Sequence, residues 1–99
     1  MMETFVLEIN ERGKGELVLH ADNEHAGKMD ILVRNGLLTV YHTEVAEKFA
    51  GRGYAKLLLD ELTPIARKQN LMIKPLCPYV HAQFKRHPEI YNDLWFKDN

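Results

Sequence analysis

The stretch that decides the fold of this chain is His42-Thr-Glu-Val-Ala-Glu-Lys-Phe-Ala-Gly-Arg-Gly-Tyr-Ala-Lys-Leu-Leu-Leu-Asp-Glu-Leu62. An extended segment enters a turn that contains Gly51 and Gly53, and the turn opens an amphipathic helix. Glycine leaves room for a ligand beside the backbone, and the first N–H groups of a helix have no partner within the helix. With the positive end of the helix dipole, these groups suit a phosphate or pyrophosphate. A tight turn that binds nothing has the same pattern, so both interpretations stay open on the pattern alone.

Upstream of this stretch, the sequence is typical of β-hairpins. Residues 5–9 and 16–20 flank the short segment Gly13-Lys14-Gly15, which predicts two antiparallel strands. We expect residues 22–27 to form a polar turn after them. A second hairpin is predicted from residues 29–33 and 37–41, because Asn35-Gly36 between them favours a two-residue turn.

The second hairpin also predicts a register and two faces. The expected pairs are Val33 with Leu38, Ile31 with Val40, and Met29 with His42. Side-chain alternation places Val40, His42 and Glu44 on one face and Thr39, Tyr41 and Thr43 on the other. Both faces carry apolar residues, which is typical of a sheet covered by helices on both sides.

The pattern becomes helical over residues 52–70. One apolar stripe is formed by Ala55, Leu58, Leu59, Leu62 and Ala66. Pro64 within this stripe removes one backbone hydrogen bond and costs about 3 kcal/mol, so we expect a kink or an early last turn.

After the helix, residues 71–76 are predicted to form a short strand parallel to the one that ends near Val45. Pro78 suits the first position of a second helix, with Cys77 as its N-cap, and this helix should end before Pro88. Pro88 can itself start a last turn. Trp95 and Phe96 are either packing residues or the cover of an exposed edge or a partner surface. The element order is ββββ-α-β-α, an α/β mixed sheet with antiparallel N-terminal strands and one parallel crossover.

Length and composition exclude several classes. A chain of 99 residues with 45% hydrophobic and 27% charged residues is expected to be one globular domain. A net charge of −1 argues against non-specific nucleic-acid binding, and no run of 18 apolar residues indicates a membrane span. A single cysteine cannot form an internal disulfide, and no signal-peptide pattern opens the chain, so we expect a cytoplasmic location.

Four segments resemble the small, single-domain branch of the GNAT superfamily of acyl-CoA N-acyltransferases. They are Lys48-x-x-Gly51-x-Gly53, His42-Thr-Glu-Val45, Pro75-Leu-Cys-Pro-Tyr-Val80 and Lys85-Arg-His-Pro-Glu89. Lys48 stands where the superfamily usually has Gln or Arg. The resemblance implies one GNAT-like N-acetyltransferase domain over residues 1–99, with acetyl-CoA as co-substrate, an unidentified amine as acceptor, and no metal.

The resemblance also implies which residues contact the cofactor. The turn would hold the pyrophosphate of coenzyme A, and the backbone of the strand before it would pair with the pantetheine arm. The implied cofactor-binding residues are Thr43, Glu44, Val45, Lys48, Gly51, Arg52, Gly53, Tyr54 and Ala55. Lys48, Arg52 and Lys56 would add positive charge, although such residues are also common at solvated helix ends.

Glu44 and His42 are the candidate general bases. They share a face close to this site, and either could accept the amine proton if its pKa were tuned towards neutral. Both are also residue types that often lie exposed at a strand end without a catalytic role. The histidine spacing indicates no metal site.

Cys77 is the third candidate catalytic residue. A helix N-terminus favours the thiolate, so Cys77 could attack the thioester and form an acetyl-cysteine intermediate. The resemblance agrees, because this branch carries a Cys in the same Cys-Pro-Tyr setting. A small buried core residue is the alternative. Tyr79 and Tyr91 could protonate the departing thiolate or could belong to the core. The predicted function is an acetyltransferase, and a non-catalytic acyl-CoA-binding or protein-interaction module is the alternative.

Overall fold

The computed structural model describes residues 2–98, which form a five-stranded sheet and three α-helices. The strands are β1 (Glu3–Ile9), β2 (Lys14–Ala21), β3 (Glu24–Arg34), β4 (Leu37–Val45) and β5 (Met72–Pro75). The helices are α1 (Tyr54–Lys68), α2 (Pro78–Arg86) and α3 (Pro88–Tyr91), and a 3-10 turn (Glu47–Phe49) precedes α1. The strands lie in the order β1-β2-β3-β4-β5, with β5 parallel to β4 and the other pairs antiparallel. This confirms the predicted mixed sheet with one parallel crossover.

The turn after β2 is shorter than predicted. Asp22 and Asn23 both have positive φ, 52° and 69°, so they alone form a two-residue turn, and β3 already begins at Glu24. Asp and Asn tolerate this left-handed backbone, whereas the other polar residues of the predicted turn continue as the exposed end of a strand. The turn at Asn35 and Gly36, with φ of 54° and 77°, is confirmed.

A β-bulge changes the predicted faces of β4. The pairs Val33 with Leu38 and Ile31 with Val40 are confirmed, but the register then shifts, so Met29 faces Thr43 rather than His42. Tyr41 is the extra residue of the bulge. Because one residue is inserted, Thr43 returns to the face of Val40, while His42 and Glu44 share the opposite face. The prediction that Val40, His42 and Glu44 lie together is therefore wrong.

The core lies against one face of the sheet. Strand residues on this face are no more than 1% exposed, and they are Leu17, Leu19, Met29, Ile31, Leu38, Val40 and Ile73. They form one cluster with side chains of α1 and α2, including the predicted stripe residues Leu58, Leu59, Leu62 and Ala66. The opposite face keeps large side chains exposed, such as Tyr41 at 47%. Within residues 2–98 the helices thus pack on one side, and the expected cover on both sides is wrong.

The C-terminal half follows the prediction closely. Helix α1 continues through Pro64 to Lys68, so the helix does not end early. Cys77 is the N-cap of α2, Pro78 is its first residue, and α2 ends before Pro88, which begins α3. None of the helices within residues 2–98 is long and apolar enough to cross a membrane.

Candidate functional site

A gap opens between β4 and β5 where their pairing stops. The ladder ends at Val40 with Pro75, and the Cys77 N–H then donates to the Val40 carbonyl at 2.8 Å. Beyond this point, β4 continues to Val45 along β3, without a further β5 partner in the described chain. Backbone groups of residues 41–45 that point away from β3 therefore line the gap. Such groups need hydrogen-bond partners, and amides of an extended ligand can supply them.

The glycine turn lies where β4 is connected to α1. Gly51 and Gly53 have φ of 82° and 75°, which explains glycine at both positions. A Cβ added at either position would meet no atom within 4 Å, so the space beside the turn is open. Gly53 is the N-cap of α1 and carries no side chain that could accept hydrogen bonds from the first turn. Ala55 follows as a half-buried residue of that turn.

Tyr54 has a structural side chain. The ring is 4% exposed and stacks on Phe49 at 5.7 Å between centroids, and its hydroxyl donates to Glu3 Oε2 at 3.2 Å. Only the backbone N–H of Tyr54, and not its side chain, is therefore available to bind an anion at the start of α1.

Three predicted cations surround the start of α1. Lys48 Nζ lies 2.8 Å from Glu24 Oε2, and the Arg52 guanidinium lies over the Phe49 ring at 5.2 Å from its centroid. Lys56 Nζ contacts Asp60 Oδ1 at 2.6 Å, and this hydrogen bond raises the pKa of Lys56. The positive charge is present, but an anion that binds Lys48 or Lys56 competes with a carboxylate.

Cys77 lies at the inner end of the gap. The side chain is 2% exposed, and its Sγ lies 3.2 Å from the Thr43 Oγ1. The sequence indicates only backbone contacts for Thr43 and does not identify this hydroxyl as the partner of the thiol. The bulge at Tyr41 turns Thr43 towards Cys77, and no sequence signal indicates that bulge.

The two candidate proton donors have different surroundings. Tyr79 is half-buried, and burial raises its pKa although the Lys56 ammonium acts in the opposite direction. The phenol of Tyr79 therefore stays protonated and able to donate. Tyr91 is 1% exposed and stacks on Phe84 at 4.8 Å, which makes it a core residue.

His42 and Glu44 lie together on the uncovered face of the sheet. His42 Nε2 is 3.5 Å from Glu44 Oε1, and their side chains are 59% and 50% exposed. The structure brings these two candidates together but places them on the face opposite Thr43 and Cys77. A general-base role for either residue stays a prediction.

A groove of about 740 Å³ occupies the same uncovered face, away from the glycine turn. Its lining includes Glu16, Asp30, Leu32 and Tyr41, and Lys28 Nζ bridges the two carboxylates at 3.3 and 3.2 Å. Asp30 pairs with His42, so the groove is next to the candidate bases. No sequence motif predicts this groove. Within residues 2–98, no group of three or more His, Cys, Asp or Glu side chains is arranged to hold a metal ion.

Comparison with known structures shows where this fold occurs. A GCN5-like protein of Staphylococcus aureus superposes with a TM-score of 0.67 at 21% identity, covering 95% of this chain and 90% of that one. The ribosomal-protein-alanine N-acetyltransferase of Brucella melitensis gives 0.63 at 19% identity, covering 90% of this chain and 66% of that one. The PaiA N-acetyltransferase of Thermoplasma acidophilum, solved in complex with coenzyme A, gives 0.59 at 13% identity, covering 73% and 48%.

The chain thus spans about two thirds of the length of the Brucella protein and about half of the length of the Thermoplasma protein. No curated protein sequence matches it significantly. The family model for GCN5-related N-acetyl-transferases matches residues 16–94, which contain most of β2, all of β3 to β5 and the three α-helices. The chain belongs to the GCN5-related N-acetyltransferase (GNAT) family.

Proposed function

We propose that this protein binds acetyl-CoA in the gap between β4 and β5 and transfers the acetyl group to an amine. The observation that carries the proposal is the early end of the β4–β5 ladder at Val40 and Pro75. It leaves backbone groups of β4 available along a path that leads directly to the glycine turn. Family membership supports acyl transfer, and the gap supports the thioester as the donor.

In this proposal the donor binds along β4. The pyrophosphate lies against the turn at Gly51 and Gly53, where helix N–H groups and the helix dipole favour negative charge. Lys48 and Arg52 add positive charge at the rim. The pantetheine amides pair with the backbone of residues 43–45, which brings the thioester close to Cys77.

The direct mechanism is a single transfer. The amine nitrogen attacks the thioester carbonyl carbon, the C–S bond breaks, and the CoA thiolate leaves. Glu44 or His42 takes the proton from the amine, and Tyr79 returns a proton to the thiolate. The uncovered face, where Glu44 and His42 lie, is then the side from which the acceptor approaches.

The two-step mechanism uses Cys77 as a nucleophile. The Cys77 thiolate attacks the same carbonyl carbon, an S–C bond forms, and CoA leaves as a thiolate that takes up a proton. The amine then attacks the carbonyl carbon of the acetyl-cysteine, its C–S bond breaks to release the Cys77 thiolate, and Glu44 or His42 takes the proton of the amine as in the direct mechanism. The Thr43 hydroxyl at 3.2 Å favours this route, because it can donate a hydrogen bond to the thiolate.

Intact mass after incubation with acetyl-CoA alone separates the two mechanisms. The two-step route predicts one added acetyl group on Cys77 that hydroxylamine removes, and Cys77→Ser should lose the adduct while it keeps acetyl-CoA affinity. The direct route predicts no adduct and a Cys77→Ala variant that still turns over.

Release of free CoA in the presence of a pool of amines tests acetyl transfer itself. A non-catalytic acyl-CoA-binding module would hold the thioester intact with every amine. Amide chemical shifts test the location of the binding site, because acetyl-CoA should perturb residues 43–45 and 51–55 most. Acetyl-CoA binding no stronger than that of inorganic phosphate would refute the donor assignment. A cytoplasmic location and a single domain over residues 1–99 stay predictions.

A further inference from the structure

The two edges of the sheet differ in whether another segment of the chain pairs with them. At the β5 edge, Ile73 pairs with Trp95, and the Phe96 N–H donates to the Ile73 carbonyl at 2.8 Å, so the C-terminal segment covers this edge. At the β1 edge, within residues 2–98, no strand or segment pairs with the outer side. Natural proteins usually protect such an edge with Lys, Pro or a bulge. Strand β1, with the sequence ETFVLEI, has neither Lys nor Pro, its charged residues are Glu3 and Glu8, and its pairing with β2 has no register shift.

The outward backbone groups of β1 belong to its odd-numbered residues. The Asp22 N–H donates to the Met2 carbonyl and the Asn10 N–H donates to the Lys14 carbonyl, both at 2.9 Å, so even-numbered residues bond to β2. Hydrogen-bonded positions alternate along an antiparallel strand. The N–H and C=O groups of Glu3, Phe5, Leu7 and Ile9 therefore point away from the sheet.

The sequence of β1 is complementary to β1 of a second copy of the chain. If two β1 strands pair antiparallel with Val6 opposite Val6, Phe5 faces Leu7 and Glu3 faces Ile9 of the other copy. In this register each odd-numbered residue faces another odd-numbered residue. All four outward residues are therefore in hydrogen-bonded pairs. Glu8 faces Thr4, so no carboxylate is opposite another, whereas like charges directly opposite would be destabilising.

The side chains of β1 also favour a covered edge. Val6, Leu7 and Ile9 are 42%, 36% and 42% exposed, and they belong to both faces of the strand. The hydrogen bond from Tyr54 to Glu3 holds the start of β1 in place, so the edge is ordered before a partner arrives.

We propose that β1 is the interface of a symmetric homodimer, in which two copies of the chain pair through β1 around Val6 and form one ten-stranded sheet. The occupant is a second copy rather than another protein, because the register that uses every outward group also places Phe5 against Leu7 and Val6 against Val6, and it sets no carboxylate opposite another. This inference does not depend on the proposed function.

Sedimentation across a dilution series tests the dimer. We expect a species of twice the 11.5 kDa chain mass that dissociates on dilution. Val6→Lys places two ammonium groups directly opposite each other and should give a folded monomer. Ile90→Lys, at a similarly exposed residue on α3, is the matched control and should remain a dimer.

Hydrogen exchange provides a readout that does not require a variant. The amides of Phe5, Leu7 and Ile9 should become protected as concentration rises, whereas those of Val6 and Glu8 are protected at every concentration. A chain that stays monomeric throughout, or a dimer that survives Val6→Lys and leaves the odd-numbered amides in fast exchange, would overturn the proposal.

Discussion

Replacing Gly51 with Ala separates the strain of the glycine turn from its role in binding. Gly51 has φ of 82°, and Gly36, in the hairpin between β3 and β4, has φ of 77°. A Cβ at either position meets no atom within 4 Å, so neither substitution creates a clash within the protein. Left-handed backbone costs a non-glycine residue about 1–2 kcal/mol, so Gly51→Ala and Gly36→Ala should lower the free energy of unfolding by similar amounts.

Acetyl-CoA affinity should distinguish the two variants. At Gly51 the added methyl group fills space that the pyrophosphate needs, and one lost charge-assisted hydrogen bond costs about 1.5–3 kcal/mol. This corresponds to a roughly 10- to 150-fold weaker Kd. Calorimetric titration of both variants, with urea unfolding to measure stability, provides the comparison. Equal acetyl-CoA affinity in Gly51→Ala and Gly36→Ala would refute the assignment of the turn as the pyrophosphate site.

Two further predictions concern side-chain partners. Thr43→Val should slow alkylation of Cys77, because the thiolate loses a hydrogen-bond donor, and Thr43→Ser should restore the rate. Unchanged alkylation in Thr43→Val would show that the contact is only packing. The Arg67 guanidinium lowers the pKa of Asp93, so this pair stabilises the folded protein above the unfolded pKa of Asp93 and loses that effect as pH falls through the folded value. Asp93→Asn should thus lower the free energy of unfolding by at most about 1 kcal/mol near neutral pH, since both side chains are largely exposed, and should not change it in strong acid. Urea unfolding at the two pH values checks this. An equal decrease at both pH values would exclude the ion pair as the cause.

Local features were predicted well from the sequence because they depend on the dihedral preferences of single residues and on periodicity. Asn35-Gly36 forms its turn wherever two strands are available, and Pro78 begins α2 with Cys77 as N-cap. Four residues of the apolar stripe of α1 are buried as its spacing predicts, namely Leu58, Leu59, Leu62 and Ala66, and Ala55 is half-buried. The same local preference explains the wrong turn at residues 22–27, since Asp22 and Asn23 complete the reversal in two residues.

Only the tertiary structure decided how these elements combine at the site. The bulge at Tyr41 results from pairing between whole strands, and it moves Thr43 to the core face and leaves His42 and Glu44 on the uncovered one. The β4–β5 ladder ends at the distant pair Val40 and Pro75, and the contact of 3.2 Å between Thr43 and Cys77 joins residues 34 positions apart in the chain. Sequence periodicity carries no information about such distances, because they depend on how α1 and α2 pack against the sheet. The chain by itself determined which residues are available for acyl transfer, and the packing of helices on one face determined which of them meet.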